Sequence, residues 1–226
     1  MAEGVQHGDA GLLARWREVS HEIEAAGSRL LAVSKYADEA SVAALVRAGQ
    51  QDFAESRPQQ LRDRAQRYPD VCWHMIGPLQ KNKAKYIARH ASMWHSVEDI
   101  DTARAVNALV EGRLPVLVQV NMAGIAHQHG VAPEQMPALL AELNGLPHLQ
   151  VVGLMCMAPR GGDARAVFAA LRGLRDSLQD GSLEVAAGMP DEGLKLCMGM
   201  SGDYRVAIQE GSDMVRIGST LFGPVA

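Results

Sequence analysis

Three cysteines in 226 residues leave no disulfide framework to build on. Cys72, Cys156 and Cys197 are also too far apart for a Cys-x-x-Cys metal site. Each falls in an apolar, strand-like run, so each is predicted to be a buried free thiol, which suits a reducing, cytoplasmic setting. No apolar run approaches the roughly twenty residues that cross a bilayer. The opening MAEGVQHGDAG has no cationic stretch followed by an apolar one, and no export signal is expected. A net charge of -4 lacks the positive excess of a nucleic-acid surface or a polybasic membrane anchor. What remains is ordinary globular composition, 47% apolar and 21% charged, at a length that suits one α/β barrel domain over residues 1–226.

Patterning along the chain supports that class. Residues 10–27 place Leu12, Leu13, Trp16, Val19 and Ile23 on one helical stripe closed by Gly27. After it, short apolar runs alternate with helical patterns. Strands are predicted at 29–34, 52–55, 71–77, 92–97, 115–121, 149–157, 194–200 and from 214, where a final turn ends the pattern at 223. Between them, helices are predicted at 39–49, 58–68, 81–90, 99–112, 133–145, 163–178 and 203–211, with Pro137 able to shift the first turns of the helix that contains it. Pro115 is placed at the first position of its strand, where its missing donor is tolerated. Continuously apolar strands between helices mean a parallel sheet covered on both faces. Eight of them without a linker predict a (β/α)8 TIM barrel with an extra N-terminal helix. A doubly wound open sheet is the competing arrangement, since periodicity cannot show closure.

In such a barrel the functional residues gather at the C-terminal ends of the strands. That rim would hold Lys35, Glu55, His74 with Gly77, His95, Asn121, Met157, Met200 with Ser201, and Arg216 with Gly218 and Ser219. The turns GMSGD (199–203) and RIGST (216–220) combine small residues with hydroxyls after the last two strands, a recurrent barrel phosphate site. Tight turns and helix caps are the plainer explanation of the same residues. A phosphate site across the rim from the amine of Lys35 points to pyridoxal phosphate, whose aldehyde takes a lysine as a Schiff base. Arg216 is the nearest partner for the ring nitrogen and, being unable to give up its proton readily, would favour the unprotonated ring. A salt bridge from Arg216 to Asp213, Asp203 or a neighbouring helix would use it otherwise. His74 and His95 lie on different strands without a third ligand of clear spacing, so no metal centre is predicted. His127 and His129 fall in a polar loop. The basic stretch QKNKAKYIAR reads as a solvated helix face, and no nucleic-acid partner is expected. Met155, Met157, Met198 and Met200 recur at strand spacing and most simply fill the core.

Six stretches in order carry a resemblance: LLAVSK (30–35), WHMIGPLQKNK (73–83), VLVQVN (116–121), GLMCM (153–157), MGMSGD (198–203) and VRIGSTLFG (215–223). Together they resemble the pyridoxal phosphate homeostasis protein family, whose members are similar to the barrel domain of alanine racemase. The resemblance implies a single-domain fold-type III barrel with the cofactor on Lys35. It also implies Ser201, Gly218 and Ser219 around the phosphate, Arg216 near the ring nitrogen, and His74 close to the pocket. The implied role is vitamin B6 and amino-acid balance inside the cell, with amino acids as further small-molecule partners and no robust turnover. Alanine racemase draws its opposite-face tyrosine from a second domain across a dimer, and nothing in this chain replaces it. A monomer is therefore expected, with a dimer as the alternative.

The chain also departs from the family pattern. FAESRPQQ (53–60) stands where Phe-Gly-Glu-Asn and then Gln-Glu are usual, so Ala54, Ser56 and Gln60 replace glycine, asparagine and glutamate. Ser56 retains one hydrogen-bonding group at the expected ring contact. Tyr36, Ala37 and Asp38 replace Thr-Lys-Pro, Ile125 and Gln128 replace a glutamate and a lysine, and Cys197 replaces a serine. Two other functions follow from this altered shell: a racemase-like enzyme using an acid or base from a partner chain, or a barrel with weakened cofactor binding that acts through protein contacts.

Overall fold

The computed structural model describes residues 3–181, 183 and 193–223, with side chains from residue 10 onward. Its strands are β1 (Arg29–Val33), β2 (Asp52–Glu55), β3 (Cys72–Met75), β4 (Met93–Val97), β5 (Leu114–Gln119), β6 (Leu149–Met155), β7 (Lys195–Met200) and β8 (Met214–Ile217). They pair in chain order into a closed barrel. Closure is made by the parallel pairing of β1 with β8, from Arg29 opposite Met214 to Ala32 opposite Ile217, so the open-sheet arrangement is not the one adopted. The helices are α1 (Glu3–Ala25), α2 (Glu39–Ala48), α3 (Pro58–Arg67), α4 (Ala84–His90), α5 (Ile100–Asn107), α6 (Met136–Asn144), α7 (Ala164–Gln179), α8 (Tyr204–Gln209) and α9 (Ser219–Phe222).

Local chemistry sets most helix boundaries. Asp38, Asp99 and Asp163 cap α2, α5 and α7 by accepting from the backbone N–H three residues on. α1 starts earlier than the apolar stripe predicts, because the polar residues before Leu12 carry no periodicity to read. Pro137 sits in the first turn of α6, and Pro133–Gln135 form a separate 3-10 turn ahead of it. Lys81–Lys83 likewise form a 3-10 turn before α4. Pro115 is the second residue of β5 rather than the first, since Leu114 already pairs with Leu149.

Alternation along each strand divides the interior in two. Val116 and Val118 on β5 face the helices with Phe53, Trp73, Trp94 and Leu154 in the larger core. Leu117 points the other way and meets Met155, Cys197 and Met214 inside the barrel. Phe53 and Trp73 stack with ring centroids 5.1 Å apart, fastening β2 and β3 beneath α3. Each fully buried side chain of this kind contributes about 1.5–3 kcal/mol. The same alternation sends His74, His95 and Arg216 into the lumen, since Trp73, Trp94 and Val215 beside them belong to the outer core.

Candidate functional site

β1 delivers Lys35 to the rim on a braced turn. Ser34 still pairs with β2, its N–H donating to the Ala54 carbonyl at 3.0 Å, and Ala37 closes the turn on the Ser34 carbonyl. The lysine itself is half-buried, and its Nζ lies 5.2 Å from the centre of the Tyr36 ring, which is 60% exposed. Gln60 Nε2 donates to the Lys35 carbonyl at 3.3 Å. A carboxylate at position 60 could not make that bond, so this departure from the family pattern braces the lysine's own peptide.

The turns after β7 and β8 come together next to it. Ser201 Oγ accepts from the N–H groups of Gly218 and Thr220, both at 3.2 Å. Two backbone donors therefore converge on one hydroxyl oxygen, a place where an anionic oxygen would find the same partners. Gly218 lies against β1, where an added Cβ would stand 3.4 Å from the Val33 carbonyl. Gly199 has φ +90, and a Cβ there would stand 2.5 Å from that of Ala207. Asp203 Oδ1 accepts from Met200 N–H at 2.6 Å and shapes this turn. Ser219 is exposed at the start of α9.

Arg216 is buried in the lumen at the level of Leu31. Its Nη1 donates to the Cys197 carbonyl at 2.8 Å and lies 3.2 Å from Cys197 Sγ, while Nη2 donates to the Cys156 carbonyl at 2.8 Å. Among the described residues no carboxylate pairs with it: Asp213 accepts from Leu196 N–H and Asp203 from Met200 N–H. A guanidinium held by two carbonyl acceptors still has N–H donors in hand. Burial raises the Cys156 thiol to about 12 and raises Cys197 also, so both stay protonated beside the guanidinium. Cys72, by contrast, is exposed, because the first residue of β3 points out of the barrel end rather than into a core.

The histidines are deeper than the rim reading placed them. His74 Nδ1 lies 2.8 Å from His95 Nε2, and His74 Nε2 lies 3.0 Å from Asp52 Oδ1. Asp52 is the first residue of β2, so His74 faces the barrel floor as well as the lumen. His129 pairs instead with Glu98 at 2.8 Å on the exposed loop after β5.

Glu55 belongs to the opposite side of the sheet. It is fully buried with the helix-facing residues, and Ser34 Oγ donates to its Oε1 at 2.6 Å. Burial pushes its carboxyl up to about 7, against the pull of the Ser34 hydrogen bond and of Arg64, Arg57 and Lys35. Ser56 follows it at the rim, packed so closely on Gly77 that a Cβ there would stand 2.2 Å from the Ser56 carbonyl. The structure thus joins Ser201 to Gly218 and sets both beside β1, while His74 and Arg216 lie below them. Asp52 escaped sequence reasoning, and Gln60 was seen only as a departure from the family pattern, with no contact attached to it. The one signal for Asp52 was a polar residue at a strand position with an inward period.

The family model for the alanine racemase N-terminal domain matches residues 10–225. A pyridoxal phosphate homeostasis protein of Deinococcus radiodurans is 40% identical over 205 residues, which cover 88% of this chain and 90% of that protein. The Bos taurus protein of the same name is 36% identical over 220 residues, covering 89% of this chain and 79% of its own. Among solved structures, PipY of Synechococcus elongatus PCC7942 with PLP bound superposes with a TM-score of 0.77 at 30% identity, covering 95% of this chain and 100% of that one. An alanine racemase of Clostridium difficile 630 shares the fold, with a TM-score of 0.71 at 16% identity over 97% of this chain and 56% of that one.

Proposed function

The chain belongs to the pyridoxal phosphate homeostasis protein family, and from that premise we propose that it binds pyridoxal phosphate at the C-terminal mouth of its barrel. The observation that carries this reading is the pair of N–H groups on Ser201 Oγ, set beside the strand that leads to Lys35. The residues fit the group: an amine on a braced turn for the aldehyde, converging donors for the phosphate, and a carbonyl-held arginine below them. When bound, the cofactor would supply an electrophilic aldehyde carbon, and Lys35 would be the amine that holds it. Ser201, Gly218 and Ser219 would hold the phosphate, and Arg216 would offer its remaining donors to the ring nitrogen. Ser56 would serve the ring oxygen with its single hydroxyl, and His74 would line the lumen below. In this reading the protein carries the cofactor for vitamin B6 and amino-acid balance rather than turning over a substrate, which the name of its relatives supports.

No helix among the described residues is long and apolar enough to cross a membrane. The free thiols among the described residues support the reading of a cytoplasmic protein. The test is borohydride trapping of added pyridoxal phosphate, followed by mass spectrometry. An adduct on Lys35 that is lost in Lys35→Ala supports the proposal, and the absence of any adduct there sinks it. Amino-acid turnover by the loaded protein would favour the racemase-like alternative.

A further inference from the structure

The lumen holds a hydrogen-bonded column that the binding residues above do not account for. It begins outside the barrel floor at Arg29, whose Nη2 donates to Asp52 Oδ2 at 2.7 Å. It continues from Asp52 Oδ1 to His74 Nε2 at 3.0 Å and from His74 Nδ1 to His95 Nε2 at 2.8 Å. It ends at His95 Nδ1, which is buried and has no hydrogen-bond partner among the described residues. Three polar side chains on neighbouring strands β2, β3 and β4 thus form a line rather than a convergent set of metal ligands.

Hydrogen bonds in such a line have a direction, and one end can set it. Burial works to raise the Asp52 carboxyl, but His74 and Arg29 hold it below the ordinary range, so it stays an acceptor with both oxygens engaged. His74 must then donate from Nε2. With the His74 ring neutral, its Nδ1 is left as a lone pair that accepts from His95 Nε2–H, and His95 Nδ1 becomes a second bare lone pair. The reverse arrangement would bury an N–H of His95 without an acceptor, close enough to feel the charge of Arg216. Burial first, with the charge of Arg216 adding to it, holds His95 well below its ordinary range, so it remains neutral.

We propose that Asp52 is a positioning residue that sets the proton direction along His74 and His95, so that His95 keeps a bare acceptor lone pair on its buried Nδ1 in the lumen. The consequence for the cofactor rests on the function proposed above. A bare lone pair within the field of Arg216 favours the guanidinium and the donors it offers, whereas an N–H there would oppose it. Asp52 itself touches nothing at the mouth and acts only through the two rings.

The test uses the full chain with its histidines labelled with 15N. Long-range proton–nitrogen correlation at neutral pH should find His95 neutral, with its proton on Nε2 and Nδ1 bare. A proton on His95 Nδ1 would overturn the proposal. Asp52→Asn, whose amide can donate as well as accept, should mix the two tautomers of His95 and weaken binding of added pyridoxal phosphate about tenfold, the scale of one misdirected buried hydrogen bond. Asp52→Glu should restore both readouts. Unchanged tautomers and unchanged affinity in Asp52→Asn would equally overturn it. If that variant fails to fold, the tautomer of His95 in the unmodified protein decides. A protein that takes up no pyridoxal phosphate would overturn the proposed function instead, and the tautomer would then decide for or against Asp52.

Discussion

Glu55 and Asp52 open the same short strand as its two ends, and their carboxyls are treated in opposite ways. Asp52 has a cation and a histidine on its two oxygens, whereas Glu55 Oε2 is buried with no hydrogen-bond partner. The Glu55 carboxyl titrates at about 7 in the folded protein against 4.5 as the ordinary value. Below the ordinary value both folded and unfolded chains are protonated there, and no difference arises. Between the two values the unfolded chain releases its proton while the folded one retains it, so stability falls as pH rises, levelling off above about 7. The full loss is on the order of 3 kcal/mol. Denaturant titrations from pH 4 to pH 8 should show that decline as the difference in stability between the unmodified protein and Glu55→Gln. The difference is the readout because the buried neutral His95 works in the opposite direction below its ordinary value. Parallel pH profiles in the two proteins would show that the Glu55 carboxyl titrates normally. At the mouth, Ser201→Ala removes the acceptor on which Gly218 and Thr220 converge. A roughly tenfold weaker uptake of pyridoxal phosphate is expected, read by absorbance titration. Both residues were visible in the sequence as rim candidates. That Glu55 faces the helices was not, because a four-residue strand offers too few alternations to fix its facing.

At the scale of elements, glycine has two opposite meanings. Gly153 on β6 is paired with Lys195 on β7, and a Cβ there would stand 2.1 Å from the Lys195 carbonyl. Backbone cannot swing aside as a side chain can, so Gly153→Ala should spread the two strands and cost about 1–3 kcal/mol. Gly173 lies inside α7 with nothing within 4 Å of an added Cβ and no positive φ. There alanine should stabilise by about 0.5–1 kcal/mol, the helix-interior preference over glycine. Paired urea melts check both, and equal shifts in the two variants would refute the account. Sequence pattern placed these elements within a few residues, since apolar runs and capping aspartates are local signals. It could not say which glycine supports a close approach, since that depends on a strand more than forty positions away.

For the whole molecule, the two ends of the described chain are tied across the closure of the barrel. Ser28 Oγ donates to the Ser212 carbonyl at 2.5 Å, and Arg29 N–H to Asp213 at 2.8 Å. α1 packs over this seam with Leu12, Val19 and Ile23 buried. Arg15 donates through Nε and Nη2 to the Leu221 carbonyl at 3.0 and 2.8 Å. α9 therefore has an outside anchor, and α9 follows directly on Gly218 and carries Thr220. Arg15→Ala should speed hydrogen exchange in residues 218–223 and weaken pyridoxal phosphate uptake a few-fold, with little change around α4 on the far wall. Uniform exchange across the barrel in that variant would argue against a local tether. The predicted extra helix at the N-terminus thus serves the site as well as the core, a link that its apolar stripe alone did not reveal.

Local order was written in the residues themselves. Apolar runs alternating with amphipathic stretches determine eight strand–helix units, because burial on both faces or on one stripe is a property of each segment. The strand-end lysine and the small hydroxyl-bearing turns could be read for the same reason. Closure, and everything closure brings together, was decided only in three dimensions. Gly218 meets Ser201 and Val33 because β8 lies between β7 and β1. Arg216 finds carbonyls rather than carboxylates because the lumen seals it from the surface. Asp52, His74 and His95 share one hydrogen-bonded line because parallel register stacks three strands that no sequence period connects. Non-local pairing carries no local signature, so the site's members were legible one by one, and their bonding was not.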